Sequence, residues 1–199
     1  MTAVITGDII NSKKGSINDW MPFLKKALNQ YGEEPLNWEI FRGDSFQLVL
    51  PSNKAIIASL HIKSTIKQSK LHDVRMAIGI GEVAHQTNKI TETNGSAYVR
   101  SGECFESLKK RTLAIKSPNE QLDLYLNLYL KLAALTIDLW SSTVASVITK
   151  TIEHPEKNQQ DLALLLNKSQ SNISEALKRG GFDELMEFND FFKNTISTL

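Results

Sequence analysis

A chain of 199 residues, of which 41% are hydrophobic and 23% charged, is long enough to bury a core and has an ordinary globular composition. Its single cysteine, Cys104, excludes an internal disulfide and leaves no cysteine-based metal site. No apolar run approaches the roughly 20 residues of a membrane span, and the N-terminus has neither the basic leader nor the apolar length of a signal peptide. We therefore expect a cytoplasmic protein with no membrane partner.

The first 117 residues alternate between strand and helix patterns. Residues 3–6 are a β-branched run that predicts a strand, and residues 17–31 have the apolar spacing of an amphipathic helix. Alternating residues on either side of the segment Arg-Gly-Asp-Ser at 42–45 predict a hairpin. A capped helix follows Ser52, then the strand VRMAIGIGEV, a further helix and a short strand TLAIK. The predicted order is β-α-β-β-α-β-α-β, which favours an antiparallel or mixed sheet covered by helices on one face.

Two glycines mark one face of the strand VRMAIGIGEV. Val74, Met76 and Ile78 fall on one face, whereas Gly79 and Gly81 fall on the other. A glycine face lets another backbone or a ligand approach a sheet closely.

The sequence changes character after residue 118, where long apolar periodicity of helical type replaces the strand patterns. This change predicts two domains: residues 1–117, built on a sheet, and residues 118–199, which are all-helical.

Two aspartates, Asp8 and Asp44, follow glycines next to apolar strand-like runs. If neighbouring strands bring the carboxylates together, they can hold one or two Mg²⁺ ions against a nucleoside triphosphate. The amide of Ile9 and the side chains of Lys14 and Arg42 would then contact phosphate oxygens. The alternative is that both aspartates serve turn geometry, for which Gly-Asp is a common pair. His61, His72 and His85 are scattered without the spacing of metal ligands.

The segment NQQDLALLLNKSQSNISEALKRGGF has the pattern of a helix-turn-helix. Asn158 caps a first helix with Leu162, Ala163, Leu165 and Leu166 inward, Asn167 ends it in a left-handed conformation, and Ser169 caps the second helix. Ile173 and Leu177 would pack inward. The second helix would be the recognition helix of a DNA-binding protein, with base or phosphate contacts from its exposed polar residues: Ser169, Gln170, Ser171, Asn172, Ser174, Lys178 and Arg179.

The charge of this segment leaves DNA binding open. Residues 155–199 carry five basic and seven acidic residues, a net charge of −2, and the rest of the chain carries +3. A negative segment favours a helix-turn-helix used for packing or dimerisation. Four of the seven acids, however, lie in FDELMEFND, which predicts a separate C-terminal helix.

Four ordered motifs, GDIINSKK, RGDSFQLVL, VRMAIGIGEV and NGSAYVRSGECFESLKK, resemble the bacterial SatD-type proteins. The resemblance implies an α+β fold with a ferredoxin-like palm, similar to that of class III nucleotidyl cyclases and GGDEF proteins, followed by a helix-turn-helix. It also implies that Asp8 and Asp44 lie where cyclases hold their two metal-binding carboxylates.

The chain departs from these relatives where catalysis would need specific side chains. SatD relatives have an acid at the hairpin position that Ser45 occupies here. Cyclases place a transition-state Asn and Arg four and eight residues after a glycine, and the same count from Gly95 reaches Val99 and Glu103. Arg100 would substitute only after a shift of one turn. Nucleotide binding is therefore favoured over turnover.

These patterns support three hypotheses. The first is a homodimeric DNA-binding transcriptional regulator whose degenerate palm senses a nucleotide or metal, or serves as a scaffold, and whose apolar helices between residues 122 and 152 dimerise. The second is an Mg²⁺-dependent nucleotidyl cyclase or transferase that uses Asp8 and Asp44. The third is a non-catalytic protein-interaction module.

Overall fold

The computed structural model describes residues 1–84 and 89–198, which form five strands and eight α-helices. No helix in these two ranges is both long enough and apolar enough to cross a membrane. The strands are β1 (Thr2–Ile10), β2 (Trp38–Phe41), β3 (Ser45–Pro51), β4 (Asp73–Gly81) and β5 (Leu113–Lys116). The helices are α1 (Met21–Leu28), α2 (Ala55–Lys67), α3 (Ser96–Glu106), α4 (Glu120–Ile137), α5 (Ser142–Glu153), α6 (Gln159–Leu166), α7 (Gln170–Gly180) and α8 (Phe182–Ile196).

The strands form one mixed sheet in the order β2-β3-β1-β4-β5. The central strand β1 is antiparallel to both β3 and β4, and the only parallel pair among the described residues is β4 with β5. The chain order β-α-β-β-α-β-α-β and the mixed sheet confirm the prediction.

Helices cover both faces of the sheet, so the expectation of helices on one face is wrong. Ile5 of β1 and Ile78 of β4 are fully buried on the side of α1 and α2. On the other side α3 packs against β1, β4 and β5. A methyl group on Gly79 would lie 2.2 Å from the carbonyl oxygen of Ala97 and 2.3 Å from the amide nitrogen of Ser101. The predicted close approach at the glycine face is therefore confirmed, and it is the backbone of α3 that makes it.

The helical second half packs on α2 and on the sheet edge, and one hydrophobic core runs through both halves. Thr149 Oγ1 of α5 donates to Ser64 Oγ of α2 at 2.9 Å. At the edge strand β5, the Asn127 side chain of α4 bonds both the amide and the carbonyl of Ile115, at 3.1 and 2.8 Å. The side-chain amide thus hydrogen-bonds the backbone N–H and C=O groups of β5 that an open sheet edge would leave unpaired.

Candidate functional site

Asp8 lies inside β1, not at its end, because β1 continues to Ile10. Its cross-strand neighbours are Ser45 on β3 and Arg75 on β4. Arg75 Nε donates to Asp8 Oδ1 at 3.0 Å and Nη2 donates to Oδ2 at 2.5 Å. The guanidinium also lies over the Phe105 ring of α3, 5.4 Å from its centroid. Asp8 is therefore one half of a two-bond ion pair, the geometry that arginine provides for carboxylates.

Asp44 lies in the β2–β3 turn, next to the end of β1. Its carbonyl oxygen accepts from the Ile9 amide at 3.1 Å, and its Oδ2 accepts from Ser12 Oγ at 2.5 Å. Since Asp8 pairs with Ser45, the residue after Asp44, the fold places the two aspartates at the same end of the sheet.

The three groups predicted to contact phosphate lie around this end of the sheet. One of them is already hydrogen-bonded, and the other two are exposed. The Ile9 amide is taken by Asp44, and the Ile9 side chain is buried. The side chains of Lys14 and Arg42 are exposed. The Lys14 carbonyl accepts from Nε2 of the buried His72 at 2.8 Å, which ties the loop after β1 to the segment before β4.

The donor set, as arranged, does not fit a two-carboxylate magnesium site. Mg²⁺ takes oxygen ligands in near-octahedral geometry, with carboxylates completed by water. Both Asp8 oxygens already accept from Arg75, and the described residues contain no group of three or more His, Cys, Asp or Glu side chains suited to a metal. Metal binding by Asp8 would first require Arg75 to release it. Of the three scattered histidines, His85 lies outside the described residues.

The positions of the cyclase-type catalytic residues do not converge on Asp8. Val99 is exposed, and the Glu103 carboxylate pairs with Lys116 Nζ at 2.6 Å. Arg100 Nη1 donates to the carbonyl of Ile80, which pairs with Ala3. Ala3 is five residues before Asp8 in β1, roughly 17 Å along an extended strand.

The second candidate site is formed by α6 and α7, which are joined by three residues, 167–169. Asn158 caps α6 in a capping box with Asp161, and Ser169 Oγ caps α7 by accepting from the Asn172 amide at 3.2 Å. Asn167 is left-handed, with φ of +50°. The three predicted terminus residues are therefore confirmed.

The predicted division of α7 into a packed and an exposed side is also confirmed. Ile173 and Leu177 are buried, together with Ala176 and Gly180. Leu162 and Ala163 of α6 are buried as predicted, but Leu165 is 47% exposed, so its predicted inward position is wrong. The seven predicted DNA-binding residues are all exposed: Ser169, Gln170, Ser171, Asn172, Ser174, Lys178 and Arg179.

Sequence reasoning missed the residues that bind the aspartates. Arg75 and Ser12 are 67 and 32 residues from their partners, and only the strand register brings them together. One signal was present: alternation in VRMAIGIGEV places Arg75 on the glycine face.

The fold and these sites define a class, an α+β protein in which a mixed five-stranded sheet carries a C-terminal helical half. The chain belongs to the SatD family, whose sequence profile it matches over residues 2–190. No curated protein and no solved structure matches the chain.

Proposed function

We propose that this protein is a homodimeric DNA-binding transcriptional regulator of the cytoplasm. In this proposal α6 and α7 are a helix-turn-helix with α7 as the recognition helix. The sheet domain is a cyclase-like palm that acts as a scaffold or sensor. The strand order β2-β3-β1-β4, with a β-α-β-β-α-β chain order, supports a ferredoxin-like palm.

The observation that carries the proposal is the exposed side of α7. Ser171, Ser174 and Lys178 follow one another at intervals of three and four residues, so they share one face of the helix. This face is distinct from the buried side of α7, where Ile173 and Leu177 lie. The hydroxyl and ammonium groups of this face, together with the side-chain amides of Gln170 and Asn172 in the first turn of α7, can supply both base-edge and phosphate contacts.

The charges near α7 are consistent with a modest electrostatic contribution to DNA binding. Lys178 and Arg179 lie in its last turn, and Arg179 Nε is 3.6 Å from Glu175 Oε1, an exposed pair that water and salt weaken. Lys178 has no ion pair among the described residues. It is therefore the cation of α7 most suited to a phosphate.

The test compares single variants in a fluorescence-anisotropy assay at moderate salt, on fragments of the genome that encodes the chain. Lys178→Ala should weaken binding several-fold on every sequence and reduce the salt slope by about one. Gln170→Ala should reduce the preference between fragments. The control is Lys193→Ala on α8, whose exposed lysine pairs with Asp190 at 3.0 Å and lies outside the proposed face. If Lys178→Ala and Gln170→Ala bind every fragment like the wild type, recognition through α7 is wrong.

The second candidate, an Mg²⁺-dependent nucleotidyl cyclase or transferase, is favoured by the juxtaposition of Asp8 and Asp44 at one end of the sheet. It requires a metal-dependent product from ATP or GTP, and Asp44→Asn must abolish turnover. Absence of product above background with every nucleoside triphosphate would remove it. The third candidate, a protein-interaction module, predicts neither DNA binding nor turnover.

A further inference from the structure

The helix α4 is apolar on two opposite sides. One side is buried against the rest of the chain through Leu122, Leu126, Leu130 and Ile137. The other side, which we call the outer face, is exposed. It consists of Leu124, Tyr125, Leu128, Tyr129, Leu132, Leu135 and, just after the helix, Leu139.

Exposure of the outer face is high for large apolar side chains. Leu132, Leu135 and Leu139 are 57%, 70% and 81% exposed. With about 150–250 Å² for each whole tyrosine, somewhat less for each leucine, and the exposed fractions of the seven residues, the outer face presents roughly 700 Å² of apolar surface. Patches of this size on folded proteins mark an interaction site.

We infer that the outer face is covered by the same face of a second copy of this chain. The inference specifies the homodimer of the proposed function and is independent of its DNA-binding part. Two faces of roughly 700 Å² would bury about 1,400 Å², within the range of stable protein dimers.

The spacing along the outer face fits a second helix of the same kind. Tyr125, Leu128, Leu132, Leu135 and Leu139 are separated by three, four, three and four residues. This is the repeat with which two helices pack side chains into one another's gaps. A two-fold axis gives each copy the same surface, so the repeat is complementary to itself.

A groove beside the outer face would receive side chains from the second copy. It lies between α4, α7 and α8 and has a volume of about 600 Å³. Its apolar walls include Tyr129, Leu132, Phe188 and Phe191. Tyr129 meets both phenylalanine rings edge-on, with centroids 5.7 Å apart in each case. Since Leu132 belongs to both the groove and the outer face, the two surfaces are continuous, and one interface can fill the part of the groove between α4 and α8. Lys178 and Arg179 line the groove from α7 and stay outside this interface, where they can contact DNA.

The charge of α4 argues against a membrane surface or a nucleic acid as the occupant. Between residues 121 and 139 the charged residues are Asp123, Lys131 and Asp138. Asp123 accepts from the Ser117 amide, and Asp138 pairs with the buried Lys63. Lys131 thus remains as the single cation of this stretch, whereas helices that bind anionic membranes are rich in Lys and Arg.

The experiment measures the mass of the full chain in solution by sedimentation and light scattering between about 1 and 100 µM. The wild type should have twice the 22.3 kDa mass of one chain. Leu128→Lys combined with Leu135→Lys should raise the dissociation constant by about 100-fold or more, because both charges would be buried at the interface. The matched control combines Leu71→Lys and Val99→Lys, which are 56% and 53% exposed elsewhere, and should remain dimeric.

Three outcomes would overturn the inference. A wild type that is a monomer at 100 µM excludes the dimer whatever the variants do. A folded Leu128→Lys/Leu135→Lys variant that stays dimeric assigns the interface elsewhere, and so does a control pair that becomes monomeric. The result is separable from the DNA-binding proposal, since Lys178→Ala should lose DNA affinity and keep the dimer mass.

Discussion

Arg75 holds both carboxylate oxygens of Asp8 across neighbouring strands, so the carboxylate that the magnesium hypothesis assigns to a metal ion is already paired. The pair joins β1 to β4 by side chains in addition to backbone hydrogen bonds. It also places a positive charge where the alternative enzymatic hypothesis needs an available carboxylate. The relationship therefore bears on both stability and function.

We predict that the pair contributes a measurable coupling energy. The side chains of Arg75 and Asp8 are 36% and 21% exposed, so water weakens their attraction, and about 1 kcal/mol is expected. A double-mutant cycle of Asp8→Asn and Arg75→Gln in urea unfolding measures it. Arg75→Lys keeps the charge but loses the two-bond geometry and should recover only part of the stability. A coupling energy of zero would show that the pair is incidental to folding.

We predict that Gly79→Ala destabilises the protein by at least about 2 kcal/mol, because the added methyl would meet the α3 backbone at the carbonyl of Ala97 and the amide of Ser101. The matched control is Gly102→Ala within α3, where nothing lies within 4 Å of the added methyl. It should stabilise the protein by about 0.5–1 kcal/mol through helix propensity. Both are measured by urea unfolding, and equal effects would contradict the close packing of α3 on β4.

The helix ends were predictable from sequence because their chemistry is local. Asn158, Asn167 and Ser169 each act on backbone groups a few residues away, so their residue types carry the information. The glycine face of β4 was equally readable, since alternation fixes which residues share a face. The sequence did not show what would cover that face.

The environment of Asp8 was not predictable because it depends on register. Asp8 faces Arg75 only because β1 and β4 pair with Ile5 opposite Ile78, and a slip of one residue would move Arg75 to the other face. The exposure of the outer face of α4 was also not predictable from the sequence. Apolar periodicity predicts the helix, but it does not tell which of its two apolar sides is covered by the rest of the chain.

We predict a large cost for removing the buried charge of Lys63. This lysine is fully buried, and its Nζ lies 2.8 Å from Asp73 and 2.7 Å from Asp138, so it links α2 to β4 and to the end of α4. Lys63→Met leaves two carboxylates short of a partner and should cost about 3 kcal/mol. Lys54→Met, at an exposed lysine just before α2, should stay within about 0.5 kcal/mol of the wild type. Equal urea midpoints for the two variants would contradict this assignment.

The last prediction concerns pH and a buried cluster that joins α1, α2 and α5. Tyr31 Oη lies 3.1 Å from His61 Nδ1, and His61 Nε2 lies 3.6 Å from Glu153 Oε1. Lys26 and Lys150 also pair with Glu153, at 3.0 and 2.5 Å. Burial alone would raise the pKa of Glu153, but hydrogen bonds from Lys150 and Lys26 outweigh it and lower the pKa from 4.5 to about 2.

The pKa of His61 is lowered from 6.5, because burial outweighs the opposing effect of Glu153. The folded state therefore keeps His61 neutral at a pH where the unfolded chain binds a proton. The contribution of His61 to the free energy of unfolding is therefore fully present above about pH 6.5 and decreases as the pH falls below that value. Stability from Glu153 is complete above about pH 4.5 and is lost as the pH falls from there toward 2.

The contributions of His61 and Glu153 to stability can be measured separately because the two groups titrate in different pH ranges. Urea unfolding at a series of pH values should show the free energy of unfolding decreasing below pH 6.5, and His61→Gln should flatten the curve just below that value. Glu153→Gln should flatten it between about pH 4.5 and 2. It should also steepen the His61-dependent part, because losing the carboxylate removes the one group that raises the pKa of His61. A wild-type curve that stays level from pH 7 to 5 would contradict the neutral, buried state of His61.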